Sequence, residues 1–375
     1  MSNTLKEEIK VENLNNSNII CLMSTLGKTS TAYLLKEIIE KAGLKVGLIS
    51  QTGIKIGNET LTKVENIIDN KENLNKIIEK MNAEKCDYII AEYFTKEIKD
   101  LDFKIAFFNN IYETDTNIDE KIEDYREILK KAQTAIANVD TIYTGKIISP
   151  LLKEGKEILT IGIDNNCKML AKDITITNNY VDFKVRIGDK NERIKSAVPG
   201  RFSIYNALGA VAISNTLNIN TEVIVETVQT ATINGRSQIL ANDKELTIML
   251  DCANSINAIT SVVESVKKYT KGNIIMQVDC EYLVSQDNKA EIGAELARLA
   301  DTLIISNIGT DKDIEEGIKT TKTKYKIIED NNEAIKFALG RITKMDMAII
   351  ISDKNLNLEE AGKTKDYIYS IISNY

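Results

Sequence analysis

Short continuous apolar runs alternate along this chain with stretches in which apolar residues recur at helical spacing, the rhythm of an α/β protein. The runs predict strands at Asn18–Met23, Lys45–Ser50, Tyr88–Tyr93, Ile105–Asn109 and Thr134–Ala137. Between them the periodic stretches predict helices at Thr29–Ala42, Leu61–Met81 and Ile122–Ala132. From Glu157 to Ile194 the pattern shifts to β-rich alternation broken by Asp164-Asn165-Asn166, Thr177-Asn178-Asn179 and Gly188-Asp189-Lys190, which predicts a small sheet added to the side of the first domain. After Pro199-Gly200 come helices at Ser203–Leu217 and Thr221–Thr230. A second series follows: strands Leu246–Asp251, Asn273–Val278, Thr302–Ser306 and Met347–Ser352, with helices Ala258–Lys268, Ala290–Leu299 and Asn332–Ile342. The expectation is an N-terminal extension (1–17), a P-loop domain with a parallel sheet plus a small side sheet (18–240), and a Rossmann-like α/β domain (241–375).

The first strand breaks into Gly27-Lys28-Thr29-Ser30 and then a helix. At such a turn backbone N–H groups converge on an anion and the helix terminus adds partial positive charge. Lys28 would serve the outer phosphates of a nucleotide, and the Thr29 hydroxyl a Mg²⁺ ion. The general form G-x-x-x-x-G-K-S/T wants glycine where Leu22 stands, so an ordinary helix start fits the same residues.

Composition narrows the chemistry. With 375 residues, 43% hydrophobic and 27% charged, the chain suits two or three soluble globular domains. Its formal charge of −7 argues against nucleic acid as a partner. No apolar run approaches the roughly 18–20 residues that span a bilayer. Met1–Ser17 is polar and acidic, unlike a secretory signal, which predicts a cytoplasmic protein without membrane partners. The five cysteines are scattered and read as reduced, mostly buried hydrophobes. The chain contains no histidine, so Ser-His or Cys-His nucleophiles and imidazole acid/base steps are excluded. Carboxylates, lysines, backbone donors or a bound metal must do the work.

Several collinear stretches resemble one family, the Mur ligases, and most closely the type that adds the third residue of the peptidoglycan stem peptide. Ser24-Thr25-Leu26-Gly27-Lys28-Thr29-Ser30-Thr31 stands in the place of the family's G-T-N-G-K-T-T-T. Gly43–Ile49 with Thr52-Gly53-Ile54 is similar to that subfamily, and Pro199–Ala210 is similar to P-G-x-F-N-x-Y-N-A-L-A-A. Asn234-Gly235-Arg236 resembles P-G-R, and Asp251-Cys252-Ala253-Asn254 stands at D-Y-A-H. The resemblance implies ATP binding by Thr25, Gly27, Lys28, Thr29, Ser30, Asn206 (on the adenine), Arg236 and Asp251. It also implies that a UDP-sugar-binding domain ahead of the loop is missing, and that a partner protein could supply it.

The implied reaction is ATP-dependent amide formation through an acyl phosphate, joining a small-molecule carboxylate to an amine, with Lys28 and Glu92 catalytic. Glu92 matches the family glutamate on Mg²⁺, and Thr29 and Asp115 complete the expected metal set. Asp115 lies in Phe108–Asn117, where the family has F-T-N-L-x-x-D-H-L-D-x-H, and it falls at the first histidine. The family's carbamylated lysine in Y-x-x-A-K is replaced by Leu129 after Tyr125; Lys130 sits one step along, about 100° around the helix. The substrate arginine of D-N-P-R is absent from Ser306-Asn307-Ile308-Gly309, leaving Tyr282 and Lys289 as polar candidates or as surface residues. Cys21, Leu22 and Ser24, where glycines would stand, are expected to crowd the phosphate loop. Three functions compete: an active Mur-type ligase, a degenerate paralogue that binds nucleotide or assists a true ligase, and an unrelated P-loop ATPase or kinase.

Overall fold

The computed structural model describes residues 18–62, 70–112 and 117–374. Strand β1, Ile19–Ser24, is buried along its whole length because helices cover both faces of its sheet, hence its unbroken apolar run. Helix α1, Lys28–Lys41, leads to β2, Val46–Ser50, and to a hairpin of β3, Gly53–Ile56, and β4, Glu59–Thr62. Then follow α2, Lys71–Ala83; β5, Tyr88–Glu92; β6, Ile105–Asn110; α3, Ile118–Lys131; β7, Thr134–Asn138; α4, Thr144–Lys153; β8, Ile158–Gly162; and β9, Met169–Leu170. These nine strands form one sheet in the order β4-β3-β2-β5-β1-β6-β7-β8-β9. Pairing is parallel from β2 to β9 and antiparallel at the β3–β4 edge.

The small sheet is an antiparallel meander of β10, Lys172–Ile176; β11, Val181–Ile187; and β12, Lys190–Ser196. Its inward residues Val181, Phe183, Val185 and Ile187 join the core that α1 builds with α5, Arg201–Thr216, and α6, Thr221–Thr230. On the opposite face of the large sheet, α2, α3 and α4 pack a second core.

A six-stranded sheet forms the remainder: β13, Gln238–Ile239; β14, Thr247–Asp251; β15, Ile274–Asp279; β16, Thr302–Ser306; β17, Lys324–Ile327; and β18, Met347–Ile351. The order is β13-β14-β18-β15-β16-β17, parallel except for β13. Helices α7, Ile256–Lys267; α8, Lys289–Leu299; and α9, Asp313–Lys319, cover one face. The other carries α10, Asn331–Leu339, and α11, Leu358–Ile372. Among the described residues no helix is long and apolar enough to cross a membrane.

Two differences from the sequence reading have local causes. The helix predicted over Leu61–Met81 starts only at Lys71, where the Asn70 side chain caps it by accepting from the Asn73 N–H; residues 63–69 lie outside the described residues. Ahead of it Gly57-Asn58 turns the β3–β4 hairpin, with Gly57 in the left-handed region (φ 56°), so Leu61 belongs to a strand. Helix α4 escapes prediction because Pro150 lies inside it, yet Ile147, Ile148 and Leu151 bury one apolar face.

Candidate active site

The carboxyl ends of β1, β6 and β7 face the end of β14 and the start of α7 across a cleft of about 780 Å³. On the first side the chain leaves β1 through Thr25 and Leu26 and enters α1 at Gly27, whose φ of 89° is left-handed. A Cβ on Gly27 would lie 2.3 Å from Oδ1 of Asn206, so the loop and α5 touch at this residue. Asn110, at the end of β6, holds the loop from behind. Its Oδ1 accepts the N–H groups of Thr25 (3.2 Å) and Leu26 (3.1 Å), and its amide donates to the Leu26 carbonyl (3.0 Å). Helix α1 has no side-chain cap and no acidic residue of its own in its first turn, so no side chain of that turn offsets the positive end of its dipole. The Lys28 ammonium donates to the Ser24 carbonyl.

Glu92 ends β5, immediately beside β1, and is fully buried. Its Oε2 accepts the Thr29 hydroxyl at 3.1 Å, while Oε1 has no hydrogen-bond partner. Burial pushes this carboxyl above its ordinary value; the Ser50 hydroxyl, Lys28, Thr29 and Arg236 pull it back part of the way. A buried carboxylate with an orphaned oxygen fits a hard cation, and Thr29 and Glu92 supply hard oxygen donors. Mg²⁺ commonly takes only one or two carboxylates and completes its shell from phosphates and water. Among the described residues no group of three or more acidic or cysteine side chains could hold a metal.

A ladder of buried amides crosses the same edge: Asn138 donates to Asn109, and Asn109 to Asn206, each at 3.1 Å. Asp140, just beyond β7, accepts the backbone N–H groups of Asp164 (3.0 Å) and Asn165 (2.9 Å) and the Tyr205 hydroxyl (3.1 Å). Burial would raise its carboxyl, but the N–H groups of Ile163, Asp164 and Asn165 and the Asn165 amide together hold it below the ordinary range.

From the second side, Arg236 donates to the carbonyls of Asn355 (2.9 Å) and Leu356 (3.2 Å). Asp251 is buried at the end of β14 and clasps the connection between the two sheets. Its Oδ2 accepts the Ser237 N–H (2.7 Å) and hydroxyl (2.9 Å), and its Oδ1 accepts the Ala253 N–H (2.8 Å). Burial raises the Asp251 carboxyl, and these donors offset part of the shift.

Thr25, Gly27, Lys28, Thr29, Ser30, Asn206, Arg236 and Asp251 therefore line one cleft, with Glu92 behind Thr29. Asp115 lies outside the described residues. The crowding expected from Cys21 and Leu22 does not occur: both are buried within β1, facing the cores on opposite sides of the sheet. Ser24 turns its hydroxyl to the Leu26 carbonyl. Leu129 is buried in the core, and Lys130 is exposed and paired with Glu154 at 2.7 Å, so neither reaches the cleft. Lys289 pairs with Asp311 at 2.5 Å, and Tyr282 is exposed; neither lines the cleft. Asn110, Asn109, Asn138 and Asp140 were not singled out by sequence reasoning. The Asn109-Asn110 doublet at a strand end, where β-propensity disfavours asparagine, was the available signal.

Residues 25–214 match the Mur ligase middle domain, and residues 235–353 match the Mur ligase, glutamate ligase domain. The UDP-N-acetylmuramoyl-L-alanyl-D-glutamate--2,6-diaminopimelate ligase of Alkaliphilus metalliredigens is 30% identical over 363 residues, covering 92% of this chain and 73% of that protein. Its counterpart from Caldanaerobacter subterraneus subsp. tengcongensis is 29% identical over 378 residues, covering 93% of this chain and 78% of the relative. Among solved structures, folylpolyglutamate synthase from Thermotoga maritima superposes with a TM-score of 0.73 at 16% identity, covering 95% of this chain and 89% of that one. At that identity the likeness shows the fold alone. Two domain matches in series, a cleft at their junction and relatives aligned along nearly the whole chain lead to one conclusion: the chain belongs to the Mur ligase family.

Proposed function

We propose that the chain is an ATP-dependent ligase that joins a carboxylate to an amine through an acyl phosphate, acting on small molecules of the cell-wall peptide or amino-acid kind. The observation that carries this reading is the meeting of two features at one sheet edge. An uncapped helix terminus bearing Lys28 and Thr29 lies against a buried Glu92 with an unpartnered oxygen. In this reading ATP lays its phosphates on Thr25 and Gly27–Ser30, and Lys28 exchanges the Ser24 carbonyl for the outer phosphates. Asn206 meets the adenine, Arg236 approaches the nucleotide from the second domain, and Asp251 fixes Ser237 beside it. Mg²⁺, held by Thr29, Glu92 and Asp115, would shield the charge on the transferring phosphoryl group.

The substrate carboxylate attacks the γ-phosphorus, the bond to the ADP oxygen breaks, and the amine then displaces phosphate from the acyl carbon. With no histidine in the chain, catalysis of these steps rests on positioning and electrostatics. We place the boundary between a central ATP-binding domain and a C-terminal domain in the segment that separates α6 from β13. Phosphate release that requires both a carboxylate and an amine tests the reading. Absence of ATP turnover across a panel of cell-wall peptides and amino acids would overturn it.

A degenerate, nucleotide-binding paralogue is the second reading. One observation favours it: Leu129 is buried and Lys130 is turned to the surface, so no lysine stands where the family's metal-bridging one would. Tight binding of ATP with Mg²⁺ in calorimetry, without phosphate release on any substrate pair, selects that reading.

A further inference from the structure

The amide ladder beside the cleft has a polarity, and its far end fixes it. A side-chain amide offers a carbonyl oxygen and an NH₂ group of nearly the same shape, so a backbone group of known sense must decide which end is which. Here that group is the N–H of Asp140, which can only donate and lies 3.0 Å from Oδ1 of Asn138, the last residue of β7. With its oxygen so occupied, Asn138 turns its NH₂ to Asn109 of β6 and donates to Oδ1 at 3.1 Å. Asn109 then has its own NH₂ left for Asn206 of α5, and donates to Oδ1 at 3.1 Å.

All three asparagines are buried. Reversing any one amide would set two donors or two oxygens face to face, a cost that burial makes large. At the near end, Oδ1 of Asn206 is taken by Asn109 and lies against Gly27, where a Cβ would approach it to 2.3 Å. What remains is Nδ2, which has no acceptor among the described residues and belongs to a side chain that lines the cleft.

We infer that Asn138 and Asn109 are positioning residues that fix Asn206 as a hydrogen-bond donor to the nucleotide base, so that the cleft reads an acceptor ring nitrogen of adenine rather than its exocyclic amino group. The inference rests on the adenine role proposed for Asn206. The ring nitrogens of adenine accept, whereas its amino group donates.

The test titrates the full chain by calorimetry with ADP and with 1-deaza-, 3-deaza- and 7-deaza-ADP, each of which replaces one ring nitrogen by C–H. In the parent, one of these analogues is expected to bind about 5- to 10-fold more weakly than ADP, the worth of one hydrogen bond. Asn109→Asp leaves only acceptors at that position, so Asn206 must turn, donate to the carboxylate and face the base with its oxygen. The penalty for the missing ring nitrogen then disappears. Asn138→Asp, at a side chain with no hydrogen bond to Asn206, reverses the ladder in two steps and is expected to do the same. Should Asn109→Asp fail to fold, Asn138→Asp decides alone. Equal binding of ADP and all three analogues by the parent overturns the inference. So does a penalty that persists in the variants, whether or not all four ligands bind them more weakly, because a merely structural role would weaken every ligand alike. If ADP does not bind the parent, or binds Asn206→Ala as tightly, the adenine reading falls and the inference with it.

Discussion

Gly27 meets two constraints at once, a left-handed φ of 89° and contact with the Asn206 amide. Gly27→Ala should destabilise the protein by about 1–3 kcal/mol through backbone strain and the displaced amide. It should also abolish ATP binding while the fold persists, as thermal melts and calorimetry would show. Asp140 supplies a pH signature. Its folded carboxyl lies below the ordinary 3.8, so its stabilising effect is complete above that value and is lost as the pH falls through it toward the folded one. Asp140→Asn should flatten the acid limb of a plot of Tm against pH between about 2 and 5, leaving the neutral region parallel to the parent. Of these residues Gly27, Lys28 and Thr29 were legible because their chemistry is contiguous in sequence. Asn110 and Asn109 were not, because the groups they hold lie 84 and 97 positions away. Glu92 was legible only through resemblance, since nothing local distinguishes a glutamate at a strand end from a solvated one.

At the scale of elements, the parallel strands were predictable to within a residue or two wherever burial on both faces made the run continuously apolar. Errors arose where backbone devices override side-chain pattern, as Gly57 does in the β3–β4 hairpin and Pro150 does in α4. Helix α5 shows how packing decides a residue that pattern leaves open. The family motif has alanine where Gly209 stands, but here a Cβ would meet the Phe107 ring of β6 at 2.3 Å. Alanine would gain about 1 kcal/mol in helix propensity, while overpacking a core costs about 1–3 kcal/mol. Gly209→Ala is therefore expected to lower stability, measured by urea unfolding. Adding Phe107→Leu should recover most of the loss, since the two sites couple through one contact.

For the whole molecule, the connection between the two sheets is where a hinge is expected. Gly235 and Ser237 both have left-handed backbones, Asp251 ties Ser237 to β14, and Arg236 is anchored beyond β18. Closure of the cleft around ATP with Mg²⁺ should reduce the radius of gyration in small-angle scattering, and Asp251→Ala should blunt that change by freeing the clasp. Scattering that ATP leaves unaltered would argue against a hinge here. What the sequence determined by itself was the order and type of most elements and the contiguous Gly-Lys-Thr turn. Apolar periodicity and a Gly-Lys-Thr turn are local signals, set by burial and backbone sterics over a few residues. Only the tertiary structure decided which side chains share the cleft. It turned Lys130 to the surface, paired Lys289 with Asp311 away from the cleft, and cleared Cys21 and Leu22 from the loop. It also set Glu92 of β5 beside β1 and against Thr29, because parallel pairing sets strands side by side that lie tens of residues apart in the chain.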